Sequence, residues 1–173
     1  MEKVNLTADI CDELGDSVIV LPNIFSDFGG RKIFEGEVFT LKVKNDNSLV
    51  RELLNEDGKG RILFVDGGGS NECALLGGNL ALMGEQNNWA GVIVYGLIRD
   101  SQELESITFG VKALGTNPRR SKKAGRGEKN VAVMIDQKEI KSGDYIFCDH
   151  DGIIVVPQSF KTNLRNLSSE RNF

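Results

Sequence analysis

Between residues 77 and 103 the chain reads GGNLALMGEQNNWAGVIVYGLIRDSQE. A glycine pair opens a helix-like segment. An apolar run from Gly91 to Ile98 follows and stops on Arg99-Asp100, with Glu103 three residues later. A run this apolar is a strand buried on both faces, which needs a covering layer on each side. A second run of the same kind, Arg61 to Val65 (RILFV), lies upstream. Buried strands alternating with helices predict an α/β class, and strand pairs toward the C-terminus make the sheet mixed.

The remaining elements follow from local pattern. Leu6 to Leu14 reads as a short helix with Asn5 or Thr7 as caps. Val18 to Leu21 is a short strand, and Phe25 to Gly30 a turn or loop carrying two aromatics. Gly36 to Val43 alternates apolar and polar residues, as a half-buried strand does. Asn45 to Asn55 is helical, capped by Asp46 or Asn47, with Leu49, Val50, Leu53 and Leu54 in one stripe. A helix is expected from about Glu72 to Asn87, interrupted near Gly77-Gly78. Ser101 is the expected cap of the next short helix. Phe109 to Leu114 and Val131 to Ile135 are strands. Tyr145 to Cys148 and Gly152 to Val156 flank a hairpin turn at Asp149-His150-Asp151-Gly152. Residues 1–160 read as one domain and 161–173 as a polar tail that frays or forms a short helix.

With 173 residues and a net charge of −4, the chain has the makings of one soluble domain and no dedicated DNA-binding surface. Its three cysteines, Cys11, Cys73 and Cys148, are widely spaced and include no CxxC pair, so reduced thiols and a cytoplasmic setting are expected. The N-terminus, MEKVNLTADICDEL, lacks a basic segment followed by an apolar core, so it is no signal peptide. No apolar run approaches the roughly 18 residues of a membrane span.

The chemistry-bearing positions cluster around the opening stretch. Two glycines at 77 and 78 permit a sharp turn and close approach of a ligand. If a helix starts there, its first N–H groups are free to hold a carboxylate or phosphate; alternatively, the pair caps one helix before the next begins. An arginine at a strand end, Arg99, suits bidentate carboxylate binding or an enolate oxygen. Asp100 beside it suits Mg²⁺ or Mn²⁺, and Glu103 suits the waters around such an ion. The alternative is a solvated Arg–Asp pair.

Other motifs are less specific. Asp66-Gly-Gly-Gly-Ser70 follows a buried strand and either lines the same crevice or is a tight turn. It matches neither GxxxxGK[ST] nor GxGxxG. His150, the only histidine, sits in the expected hairpin turn, so Ser–His or Cys–His catalysis and His-based zinc sites are poorly supported. Arg119 to Lys129 holds six basic residues and one acidic, with no aromatic for base stacking. It reads as a mobile, solvated loop or as a contact for RNA or an acidic partner.

Taken together, FSDFGGR (Phe25 to Arg31), GRILFVDGGGS (Gly60 to Ser70), NNWAGVIVYGLIRD (Asn87 to Asp100) and DGIIV (Asp151 to Val155) resemble the RraA-like family. This family comprises the regulators of ribonuclease activity A and the class II 4-hydroxy-4-methyl-2-oxoglutarate aldolases. The resemblance spans roughly residues 5 to 157. The aldolase-type signature (a glycine, twenty residues, Arg-Asp, two residues, an acid) is met by Gly78, Arg99, Asp100 and Glu103. What it implies is a layered α/β sandwich like the swivelling phosphohistidine domains, assembled as a homotrimer with its active site at a subunit interface. Carried over by position, the backbone of Gly77, Gly78, Asn79 and Leu80 would hold the pyruvyl carboxylate. Arg99 would bind the keto or enolate oxygen, Asp100 would ligate the metal, and Glu103 would support its waters.

The resemblance implies two functions, which do not exclude each other. The first is a metal-dependent aldolase releasing pyruvate from a small keto-acid, with oxaloacetate decarboxylation as a second reaction. The second is a non-catalytic regulator of an endoribonuclease or RNA helicase. Some relatives carry a menaquinone methyltransferase label, but no S-adenosylmethionine signature is present in this sequence.

Overall fold

The structure, a computed structural model, describes residues 6–161. In chain order its elements are α1 (Leu6–Leu14), β1 (Ile19–Val20), β2 (Ser26–Asp27), β3 (Phe34–Lys42), α2 (Ser48–Leu54), β4 (Ile62–Asp66), β5 (Ala74–Leu76), α3 (Gly78–Gln86) and β6 (Gly91–Ile98). These are followed by α4 (Ser101–Leu104), β7 (Gly110–Thr116), β8 (Glu128–Lys129), β9 (Val133–Ile135), β10 (Lys138–Ile140), β11 (Tyr145–Cys148) and β12 (Ile153–Val156). The expected tail lies outside the described residues except for Lys161, as does the candidate cap Asn5.

The sheet is mixed, in the order β1-β12-β11-β3-β4-β6-β7-β2. Its centre, β3-β4-β6-β7, is parallel, while β1, β2, β11 and β12 join antiparallel. The fold is thus the α/β class with a mixed sheet that the strand–helix alternation predicts.

Period-2 alternation sorts the central strands onto two cores. Leu63, Val65, Val92 and Val94 face a layer containing Val50 and Leu54 of α2 and Leu80 and Ala81 of α3. Ile62, Phe64 and Ile93 face the other way, onto Val133 and Ile140 of the β9–β10 hairpin and Ile146 and Val155 of the curled edge. Helix α1 covers Phe147, Ile154 and Val156 on the outside of that edge.

Four local expectations change. Residues 74–76 are a strand, not the first turn of a long helix. After Asp66 the chain leaves the sheet, and Ala74–Leu76 takes the vacated place beside the last residues of β6. Pairing with a buried edge overrides the helical preference of Ala and Leu. Thr7 does not cap α1. Its hydroxyl and N–H both donate to the Asp149 carboxylate at 2.8–2.9 Å, tying the helix to the hairpin turn. Ser101 is the first residue of α4, and Asp100 takes the cap position. Phe25 to Gly30 contains the short strand β2, paired with β7. The hairpin of β11 and β12 forms as expected, with His150 exposed at its turn.

A buried ion pair secures the same corner. Lys112 on β7, almost wholly enclosed, lies 2.9 Å from Asp27 Oδ1 and donates at 2.9 Å to the Asp149 carbonyl. Among the described residues no helix is long and apolar enough to cross a membrane.

Candidate active site

The site forms where two parallel strands end side by side. Strand β5 runs out at Leu76 into Gly77 and the start of α3. Strand β6 runs out at Ile98 into Arg99 and Asp100, and Arg99 N–H donates to the Leu76 carbonyl at 2.9 Å, which locks the two ends together. Crevices at the carboxyl ends of parallel strands are where α/β proteins bind ligands.

Gly77 and Gly78 bring the acidic residues in against the start of α3. A methyl group on Gly77 would lie 2.6 Å from Asp100 Oδ2, and one on Gly78 would lie 2.6 Å from Glu103 Oε1. The glycines therefore act by leaving room: the two carboxylates occupy the space side chains would fill. Asp100 Oδ2 accepts the Gly78 N–H at 3.0 Å and lies 3.9 Å from Arg99 Nε. Asp100 itself has φ 59° and ψ 37°. Aspartate is one of the few residues with a side chain that adopts this left-handed conformation readily. The conformation turns the carboxylate back toward α3 instead of onto the helix it precedes.

Next to this corner opens a cleft of about 130 Å³, lined by Gly77, Asn79, Leu80, Arg99 and Asp100 together with Asn47, Arg51, Arg120, Ser121 and Lys123. Gly78 and Glu103, set against each other, are not among the lining residues. Asn79 and Leu80 are in the first turn of α3, where N–H groups lack helical partners and carry partial positive charge. Four of the lining side chains are cationic and one is anionic, a local charge of +3 on a chain of −4. The cleft is small against the roughly 300–1,000 Å³ of sites for drug-sized ligands. It suits a small, multiply charged acid.

Several lining residues come from parts of the chain that the motif does not cover. The basic segment is exposed, as expected of a loop, but its backbone is tied down. Asp46, buried at the start of α2, accepts N–H bonds from Ser48 (2.9 Å), Ala124 (2.7 Å) and Arg126 (3.3 Å). Lys122 N–H donates to the Asn45 carbonyl and Ala74 N–H to that of Arg119, at 2.9 and 2.8 Å. Burial acts to raise the Asp46 carboxyl, but the hydrogen bonds from Ser48, Ala124 and Arg126 outweigh it and hold the group below its ordinary value. These ties carry Arg120, Ser121 and Lys123 to the cleft wall. Sequence spacing hid this, because the segment stands twenty residues beyond Arg99. Arg51 shows only as an exposed position on an amphipathic helix.

The other candidates lie elsewhere. The Asp66–Ser70 loop is a tight turn folded onto β6. Gly67 and Gly69 N–H groups donate to the Tyr95 carbonyl at 3.0 and 3.2 Å, and it does not line the cleft. Burial pushes all three thiols, Cys11, Cys73 and Cys148, above the ordinary cysteine value, so none is poised as a nucleophile. Among the described residues no group of three or more His, Cys, Asp or Glu side chains is placed to hold a metal. A cation at Asp100 would keep several waters, as Mg²⁺ does on one or two carboxylates. Asp100 in the cleft wall and Glu103, three residues on against Gly78, are hard oxygen donors, and they fit such an ion.

The family model described as RraA-like, Aldolase/RraA, matches residues 7–155. The chain belongs to the RraA-like family. A relative from Alkalilimnicola ehrlichii, provisionally named a 4-hydroxy-4-methyl-2-oxoglutarate aldolase, is 52% identical over 153 residues, covering 88% of this chain and 95% of the relative. One with the same provisional name from Bacillus anthracis is 45% identical over 153 residues, covering 88% and 96%.

Among solved structures, the RNA-processing inhibitor RraA from Thermus thermophilis superposes with a TM-score of 0.86 at 44% identity, covering 91% of this chain and 94% of that one. A Geobacillus kaustophilus structure, described as an S-adenosylmethionine:2-dimethylmenaquinone methyltransferase, superposes equally well at 40% identity, covering 90% and 97%. RraA-like relatives therefore carry three functional names on one fold, so function has to be argued from the site.

Proposed function

We propose that this RraA-like chain is a class II, divalent-metal-dependent lyase. It cleaves 4-hydroxy-4-methyl-2-oxoglutarate or 4-carboxy-4-hydroxy-2-oxoadipate to release pyruvate, and it decarboxylates oxaloacetate. The observation that carries this reading is the convergence of the α3 N-terminus, Arg99 and Asp100 on one small cationic cleft. The provisional aldolase names of relatives near 50% identity support it.

In this reading the pyruvyl carboxylate docks on the free N–H groups of Asn79 and Leu80, where the helix dipole favours an anion. Arg99 points its guanidinium at the 2-keto oxygen. On cleavage the C4 hydroxyl gives up its proton and C4 becomes a carbonyl. The C3–C4 bonding pair passes to C3, leaving pyruvate enolate, and protonation at C3 then yields pyruvate. Decarboxylation of oxaloacetate reaches the same enolate with loss of carbon dioxide. In both, negative charge grows on the oxygen that Arg99 faces, the arrangement that favours the transition state over the ground state. A Mg²⁺ or Mn²⁺ ion held by Asp100, with its waters steadied by Glu103, would supply Lewis-acid polarisation of the keto group. Assembly as a homotrimer would place residues of a neighbouring subunit at the open side of the cleft.

Purified protein is expected to release pyruvate from these substrates with Mg²⁺ or Mn²⁺ and to stop when EDTA is added. Activity that survives thorough chelation rules the mechanism out.

A second reading rests on the 44% identical RNA-processing inhibitor and on the exposed basic loop. In it the chain binds an endoribonuclease or RNA helicase and restrains RNA turnover. The two readings are compatible on one molecule, and the pyruvate-release assay separates them.

A further inference from the structure

The two ends of the mixed sheet belong to neighbouring stretches of chain. Strand β1 closes one end against β12, and β2 closes the other against β7, through two paired residues each. Only residues 21–25 separate β1 from β2, and α1 precedes β1 on the outside of β12. Residues 6–30 therefore run as a strap from one end of the sheet to the other. The sheet curls far enough for those ends to meet. Lys112, on β7 beside β2, donates at 2.9 Å to the Asp149 carbonyl in the turn between β11 and β12. No strand pairing joins these two places.

The polar ties of the strap converge on that one buried ammonium. At the β2 end, Asp27 faces Lys112 at 2.9 Å. Asp27 Oδ1 has no hydrogen-bond partner among the described residues, so the ammonium is its counter-charge. At the α1 end, the Thr7 N–H and hydroxyl donate to the Asp149 carboxylate, and Lys112 holds the carbonyl of that same residue. A buried charge that loses its partner is strongly destabilising. Main-chain bonds seat the strap between these ties. Leu21 N–H donates to the Ile153 carbonyl at 3.0 Å, Phe28 N–H to that of Val111 at 2.9 Å and Gly30 N–H to that of Ile107 at 2.9 Å.

The last bond connects the strap to the candidate site. Residues 105–109 follow α4, the helix that carries Glu103. A methyl group on Gly30 would lie 2.5 Å from the Ile107 carbonyl oxygen and 2.7 Å from that of Glu105. The end of the strap is thus seated directly on the backbone of the turn that leaves α4.

We propose that residues 6–30 form a strap latched by Lys112, that the strap opens and closes as one unit, and that its opening removes a brace from the turn after α4. Both ends are tied to one ammonium, so release of either end weakens the hold on the other. The central pairings of β4 with β3 and β6 do not involve the strap and stay closed when it opens. Such a unit opens with a smaller free energy than global unfolding.

Native-state amide exchange on the full chain, read residue by residue by NMR across low denaturant, tests this. In wild type, the amides of Ile10, Leu21, Phe28, Gly30 and Ile107 should share one opening free energy and one denaturant slope, both smaller than those of Phe64 and Val94 on the central strands. Thr7→Val keeps the shape and removes one hydrogen bond to a carboxylate. It should speed exchange by about tenfold not only at Ile10 but equally at Phe28 and Gly30, at the opposite end of the strap. Asp27→Asn should in turn speed Ile10. Lys112→Met should speed all five by about tenfold or more. If Lys112→Met does not fold, Thr7→Val and Asp27→Asn carry the test, since each is read at the other's end. Acceleration confined to α1 in Thr7→Val, or to β2 in Asp27→Asn, means that the ends move independently and overturns the proposal. So does a wild type in which these amides exchange only with Phe64 and Val94. An Ile107 amide that ignores all three substitutions removes the brace.

Discussion

Arg99 and Gly78 show how much of this site is decided by single side chains. Lysine at position 99 would keep the charge but lose the planar pair of donors aimed at a developing enolate oxygen. Arg99→Lys is expected to lower kcat/KM by about 10²-fold, comparable to deleting one oxyanion donor. Near-wild-type kinetics would remove Arg99 from the chemistry. Gly78 acts through absence. A Cβ there would overlap the Glu103 carboxylate, the movable end of a flexible side chain. Gly78→Ala should therefore leave stability within about 0.5 kcal/mol of wild type. It should nevertheless reduce metal-dependent activity by about 10- to 100-fold, the usual effect of displacing a group that steadies a metal's surroundings. Thermal unfolding and pyruvate release measured on the same preparation check both halves. The glycine and the acid were visible in the sequence at the right spacing. Their steric relation was not, because it depends on two strand ends being side by side.

At the scale of elements, the basic loop and α2 behave as one unit because Asp46 joins them. Its buried carboxylate satisfies three N–H groups, two of them across the loop. Asp46→Asn would leave part of that set unpaired and should cost about 1–3 kcal/mol in urea unfolding near pH 7. The pH dependence has a definite sign. Because the folded carboxyl titrates below its ordinary 3.8, the stabilisation is fully present above that value and is lost as pH falls through the lowered folded value. The gap between wild type and Asp46→Asn should therefore narrow only in that acid range. A gap that is constant into the acid range would mean that Asp46 does not hold the loop through its charge. Strand β5 is the element that local pattern misreads. Ala-Leu-Leu has a good helical signal, yet a vacant place beside β6 makes it a strand, and pairing of that kind lies outside any short window of sequence.

For the whole molecule, the decisive question is assembly. The described chain exposes Val20, Ile24, Ile33, Leu82 and Met134, each at least 39% accessible. The family resemblance implies a homotrimer, and we propose that the chain forms a stable one, burying some of these side chains. Light scattering at micromolar concentration should give three times the 19.0 kDa chain mass, and a stable monomer would contradict it. Much of the architecture was legible beforehand. The buried runs at β4 and β6, the alternation in β3 and the β11–β12 hairpin are local patterns of apolar spacing, and local spacing survives folding. So is the Gly78–Arg99–Asp100–Glu103 signature, because its members lie on two adjacent elements. The sequence by itself therefore determined the fold class, the central strands and the side of the cleft formed by Gly77, Arg99 and Asp100. Only the tertiary structure decided the opposite wall, where Asn47, Arg51, Arg120 and Lys123 meet. Their convergence depends on a buried carboxylate pinning a loop to a helix across 78 positions of chain, and no periodicity encodes a contact at that separation.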